Sequence, residues 1–176
     1  MELNHDLIDT PPLDSASVVM LRDGPSGLEV LLMRRSQRSN VLGGAYVFPG
    51  GKMDDADAGN DTLALLDRPL SDLHARLGEP DLSPEQAGAM FIAAAREAAE
   101  ESGVLYLQVG PDEIARYSSS TCQRLRAGES FAALLQENDA LLDTDALVPW
   151  SRWITPRQAS FMKKRFDTRF FLATVP

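Results

Sequence analysis

The sequence predicts an α/β domain. Short apolar runs separated by Gly, Pro and Asp clusters open the chain, one long Ala-rich helix runs between a start signal at Ser83 and a stop at Gly103, and further apolar runs follow it. At 176 residues the chain has the length of one domain with its own core. A composition 44% hydrophobic and 24% charged excludes disordered, collagenous and membrane-spanning classes.

Residues 1–14 read as a flexible lead-in, and 15–176 as one domain with an insertion at about 58–82. Met1 to Pro12 has no basic patch followed by an apolar run, so it resembles neither a signal nor a transit peptide. Ala16 to Leu21 and Leu28 to Met33 are expected strands, and the turn cluster Asp23 to Gly27 joins them as a β-hairpin. Arg34 to Gly44 is a polar connection; Ala45 to Phe48 is a third strand, halted by Pro49-Gly50-Gly51. Asp54 to Asp81, rich in Asp and Leu and broken by Pro69 and Pro80, reads as an inserted excursion with short helices near 61–66 and 72–77. Ser83, Pro84 and Gln86 supply an N-cap, a first-turn proline and a capping box. The helix they start carries Met90, Phe91, Ala94 and Ala98 on one side and stops at Gly103. Val104 to Val109 is an expected strand, Pro111 to Gln136 mainly helical, Leu147 to Ile154 extended, and Phe170 to Val175 a last strand. Trp150, Trp153 and the late phenylalanines read as core or hydrophobic wall.

The net charge of −9 argues against nucleic acid and anionic membranes as partners, because both are bound by neutralising phosphates with Lys and Arg. A small anionic substrate would need metal cations and a few placed basic side chains. Cys122 is alone, which excludes an internal disulfide and a thiolate metal site and suits a reducing, cytoplasmic setting. His5 and His74 lie far from any nucleophile signature. Gly51-Lys52 is no phosphate loop, since Tyr46 and Met53 occupy required positions, and a calcium loop starting at Asp55 fails at Leu66.

Chemistry concentrates at the end of the long helix. Glu97 is three residues before Glu100 and four before Glu101, so the three carboxylates leave one side of the helix, with Arg96 four before Glu100. An ordinary Glu-rich face is solvated. Like charges this close repel unless a cation sits among them, and hard divalent ions prefer oxygen ligands.

Residues 96 to 104, Arg-Glu-Ala-Ala-Glu-Glu-Ser-Gly-Val, resemble the signature of the Nudix hydrolases, in which a glycine and an acidic residue precede Arg-Glu-U-x-Glu-Glu-x-Gly-U, U being apolar. Counted from Gly51, the acidic position falls on Asp57, an Asp for the usual Glu, and residues 58 to 95 separate it from Arg96 where the signature has seven. Upstream, Leu31, Leu32, Arg35, Ser36, Gly44, Phe48, Pro49, Gly50 and Gly51 match the pattern of coenzyme A-cleaving members, with Met33 and Asn40 departing from it. The interrupted signature and the tail, Trp150 to Pro156 and Arg165 to Phe171, are similar to the peroxisomal-type coenzyme A diphosphatases and their bacterial relatives.

The resemblance implies a Nudix α/β/α sandwich with a mixed sheet and hydrolysis of a diphosphate bond in coenzyme A or acyl-coenzyme A. Mg²⁺ or Mn²⁺ would be held by Glu97, Glu100, Glu101 and the Gly51 carbonyl. Arg96 would fix a carboxylate, Glu100 or Glu101 would accept the proton, and Arg35, Ser36, Gly44, Phe48 and Gly50 would bind substrate. A Nudix enzyme for NADH, ADP-ribose or a nucleotide sugar and a non-catalytic binding module of the same fold stay open. Relatives continue past a segment like Phe170 to Val175 into a strand and a helix; a homodimer partner or a longer chain would supply them.

Overall fold

Alternation places Ala16, Val18 and Met20 on one face of an extended segment, and all three are fully buried. They belong to the central strand β1 (Leu13–Gly24), which begins inside the stretch expected as lead-in. The structure, a computed structural model, describes residues 7–37, 43–109, 121–158 and 164–175. The expected hairpin forms: β2 (Gly27–Val30) returns antiparallel with Gly24 opposite Gly27. The second strand, however, ends at Val30. Met33–Arg34 forms β3 and pairs instead with β4 (Tyr46–Val47) as a separate two-stranded ribbon.

The glycine run is not only a turn. Gly50–Lys52 forms β5, antiparallel to β1 with Gly51 opposite Ala16. The last strands are β6 (Val148–Ile154) and β7 (Phe166–Thr174), and β7 runs parallel to β1 from Leu13–Phe166 to Leu21–Thr174. The order is β2-β1-β7-β6, with β5 sharing the β2 edge of β1. The sheet is therefore mixed, as expected. Val104 to Val109 does not join it; Leu107 makes a single bridge to Leu142. Both edges of β1 are already taken, by β7 on one side and by β2 and β5 on the other.

Between β5 and the long helix come a 3-10 turn (Asp55–Ala58), α1 (Asn60–Leu63) and α2 (Leu70–Leu77). The long helix is α3 (Pro84–Ser102), started by the expected Ser83–Gln86 capping box and ended by Gly103 in the left-handed conformation. The described part of α4 is residues 121–126, and α5 spans Phe131–Glu137. Residues 111–120 of the expected helical stretch lie outside the described residues.

The excursion changes the expected one-sided character of α3. Every residue from Ala87 to Arg96 is buried, because one side lies on β1 and β5 while α1 and α2 cover another. Gly88 makes this close approach feasible: a Cβ there would meet the side chains of Leu63, Leu66 and Leu70. A helix-interior glycine costs about 1 kcal/mol in propensity, and here it opens a notch for the excursion's leucines. Leu73 of α2 is completely buried, and Phe91 of α3 stacks edge-on against Phe171 of β7 at 5.0 Å.

A buried ion cluster fastens the far end of the excursion. Arg169 of β7, 2% exposed, donates to Glu79 at 2.9 and 2.7 Å and to Asp14 of β1 at 2.5 Å. Arg152 binds Asp167 through two nitrogens at 2.8 and 2.6 Å and approaches Glu79 at 2.9 Å. Trp150 and Trp153 are not core: they are 62% and 64% exposed on β6, the sheet edge. The late phenylalanines differ from them, since Phe171 alternates inward on the paired strand β7.

Breaking a buried ion pair from one side leaves an uncompensated charge. Arg169→Met is expected to lower unfolding free energy by about 3–5 kcal/mol in urea titrations. Burial alone would raise the Asp167 pKa, but Arg152 and Arg169 outweigh it and hold the carboxyl below its ordinary value of 3.8. Its contribution is thus complete above that value and lost as pH falls through the lower folded one. Urea midpoints measured down through pH 3 should fall less steeply for Asp167→Asn than for the parent chain.

Candidate active site

Arg96 lies near the C-terminal end of α3, and its guanidinium is nearly enclosed. Its five N–H donors meet five acceptors. Nε and Nη2 hold the two Asp57 oxygens at 2.9 and 3.0 Å, Nη2 also reaches the Lys52 carbonyl at 3.1 Å, and Nη1 reaches Glu97 at 2.9 Å and Glu100 at 3.3 Å. Burial opposes the charge, but Asp57 above all, then Glu97 and Glu100, outweigh it and hold Arg96 firmly protonated.

Asp57, 2% exposed, also accepts the Asp54 N–H at 2.8 Å, so both its oxygens are occupied. The acidic position of the split signature therefore meets Arg96 across the excursion. Asp57 is not among the residues expected to form the site; its spacing from Gly51 is the one sequence signal for it. Lys52 pairs with Asp54 at 2.5 Å, and that contact holds the Asp54 carboxyl below its ordinary range.

The glutamates face the glycine strand. The Gly50 N–H donates to Glu101 at 2.9 Å, and a Cβ on Gly51 would collide with the Glu97 carboxylate. Burial raises the Glu97 pKa, with Arg96 pulling the other way and Glu100 and Glu101 adding to the rise. The peptide groups of this strand alternate in direction. Those of Gly50 and Lys52 face α3, as their bonds to Glu101 and Arg96 require, while Gly51, in register with Ala16, turns toward β1. The Gly50 N–H and the Lys52 carbonyl are thus the peptide groups of this strand that meet side chains of α3.

Arg35, Ser36 and Gly44 meet on the β3–β4 ribbon, where the Arg35 N–H donates to the Ala45 carbonyl at 2.9 Å and the Gly44 N–H to the Arg35 carbonyl at 3.2 Å. Half-buried Phe48 links that ribbon to β5. The ribbon and the acidic patch are thus joined in sequence through Phe48 to Gly50. Asn40 and Arg38 lie outside the described residues.

Among the described residues no three acidic, histidine or cysteine side chains form a closed cation cage. Each glutamate is turned to a protein partner, Glu97 and Glu100 to Arg96 and Glu101 to Gly50. The donor set nevertheless fits a hard divalent ion: three carboxylates and a backbone carbonyl are oxygen ligands, and Mg²⁺ retains several waters and needs only one or two carboxylates. A cavity of about 250 Å³ adjoins Glu100, bounded by Asp54, Thr62, Arg96, Glu129 and Phe131.

A mixed sheet carrying a capped helix whose terminal glutamates face a glycine strand defines the Nudix class. The family model described as the NUDT19 Nudix domain matches residues 80–176, and the chain belongs to that family. It is similar to the acyl-coenzyme A diphosphatase NUDT19 of Xenopus laevis, 27% identical over 86% of this chain and 48% of that protein. It is also similar to that of Gallus gallus, 33% identical over 85% of this chain and 49% of that protein. The chain spans about half the length of the curated relatives it matches. A crystal structure of a NUDIX hydrolase from Alicyclobacillus acidocaldarius matches with a TM-score of 0.67 at 28% identity, covering 94% of this chain and 71% of that one. Nudix hydrolases generally need divalent metal ions. No described helix is long and apolar enough to cross a membrane.

The two glycines are expected to respond differently to a methyl group. A Cβ on Gly50 meets the backbone of Ala16 and Ser17, so Gly50→Ala should cost about 1–3 kcal/mol of stability, as overpacking does. On Gly51 the obstacle is the mobile end of Glu97. Gly51→Ala should therefore cost less stability, read by thermal denaturation, yet weaken divalent-cation binding in calorimetry.

Proposed function

We propose that this chain hydrolyses the diphosphate of coenzyme A or an acyl-coenzyme A, giving adenosine 3′,5′-bisphosphate and 4′-phosphopantetheine or its acylated form. The observation that carries the reading is the pairing of Arg96 with Asp57, which brings the glutamates of α3 to the glycine strand. The substrate class is supported by the match of Arg35, Ser36, Gly44, Phe48, Gly50 and Gly51 to the coenzyme A pattern. It is also supported by the acyl-coenzyme A diphosphatase name of the relatives.

In this reading Glu97, Glu100, Glu101 and a carbonyl of the glycine strand, that of Gly51 or of its neighbour Gly50, hold Mg²⁺ or Mn²⁺. Such an ion, when bound, neutralises diphosphate oxygens and lowers the pKa of water. The chain's own groups do the rest. Arg35 grips a phosphate through the paired donors of its guanidinium, with Ser36 beside it. Arg96 keeps Glu97 and Glu100 oriented and is itself fixed by Asp57. Glu100 or Glu101 accepts the proton as water adds to phosphorus and the bridging oxygen leaves with the other phosphate. We read residues 15–176 as one Nudix domain with its excursion at 58–82, and the lone Cys122 as suited to the cytoplasm.

Incubation with coenzyme A, acetyl-coenzyme A, ADP-ribose and NADH under Mg²⁺ or Mn²⁺, with products identified by mass spectrometry, tests the substrate. Cleavage of the coenzyme A compounds is expected; cleavage of only the other two contradicts the assignment. Glu100→Gln and Glu101→Gln should each reduce kcat by about 10²-fold or more while leaving the fold intact. Arg35→Ala should mainly raise KM.

A further inference from the structure

The end of α3 poses an electrostatic problem. A helix C-terminus carries partial negative charge and unpaired carbonyls, yet this one bears Glu97, Glu100 and Glu101 and has no basic residue in its last turn. The usual local remedies reach other atoms. The Gly103 N–H takes the Ala99 carbonyl, the Ser102 hydroxyl takes the Ala98 carbonyl, and the Val104 N–H turns to the Ser102 hydroxyl.

The Glu100 and Glu101 carbonyls are met from another element. Arg126, at the end of α4, donates from Nε to the Glu100 carbonyl at 2.9 Å and from Nη2 to the Glu101 carbonyl at 3.3 Å. These are the backbones of the two residues whose side chains carry the proposed chemistry. Arg126 is exposed, but its helix is anchored: Cys122 and Leu125 are buried, and Cys122 lies beside the Gly103 cap. The guanidinium fork reaches the two successive carbonyls from two separate nitrogens, Nε and Nη2, a planar geometry that a point-like ammonium does not reproduce.

We propose that Arg126 is a positioning residue, clamping the last turn of α3 so that Glu100 and Glu101 present their carboxylates to a divalent cation. This rests on the reading of α3 as the metal-binding helix. The sign of the effect separates clamping from simple charge. Removing a nearby cation should strengthen the binding of another cation, whereas loosening the carboxylates' backbone should weaken it.

Mn²⁺ binding to the full chain, without substrate, would be measured by electron paramagnetic resonance for the parent, Arg126→Gln, Arg126→Lys and Glu100→Gln. Arg126→Gln is expected to bind roughly tenfold more weakly, as loss of an outer support does at metal sites, with Arg126→Lys between it and the parent. Faster amide exchange at residues 100–104 in Arg126→Gln, with distant amides unchanged, should accompany the loss. Unchanged or tighter Mn²⁺ binding in both Arg126 variants, while Glu100→Gln binds more weakly, overturns the clamp alone. Equal Mn²⁺ binding by the parent and Glu100→Gln overturns the clamp together with the assignment of Glu100 as a ligand.

Discussion

The structure depends on one buried ion pair. Arg96 and Asp57 are separated by the whole excursion in sequence, yet they meet through two hydrogen bonds at 2.9 and 3.0 Å in a place nearly closed to water. Leaving either charge unpaired there would cost several kcal/mol, so folding must bring the turn after β5 onto the end of α3. Once that is done, the remaining donors of Arg96 fix Lys52, Glu97 and Glu100, and the glycine strand comes to face the carboxylates. The same contact thus closes the fold and assembles the site.

The excursion between the two partners is structural material in its own right. Its leucines fill the notch at Gly88, Arg76 donates to the carbonyls of Thr144 and Leu147 at 3.0 and 3.3 Å, and Glu79 receives Arg169. It is therefore anchored at several points along its length. This is how a signature interrupted by so many residues can still behave as a loop and a helix in contact.

Much of this was legible in the sequence because it rests on local rules. The β1–β2 hairpin follows from a glycine-rich turn between apolar runs, and the limits of α3 follow from Ser83, Gln86 and Gly103. The glutamate patch follows from helical spacing alone. What was not legible rests on tertiary pairing. Gly50–Lys52 reads as a turn because glycine has no strand preference of its own, but β1 offers an open edge and its backbone can approach closely only where Gly50 has no side chain. Val104 to Val109 has the apolar character of a strand, yet both edges of β1 are already taken, by β7 on one side and by β2 and β5 on the other. Trp150 and Trp153 carry the composition of a core, yet they lie on the edge strand β6.

A double-mutant cycle on Asp57 and Arg96 tests the central constraint most directly. Unfolding free energies would be measured in urea for Asp57→Asn, Arg96→Gln and the double variant. The expected coupling is about 2–3 kcal/mol, with the double variant close in stability to the worse single one. Additive losses, with coupling below about 0.5 kcal/mol, would mean that the two residues do not act as a pair and that the excursion is closed by something else.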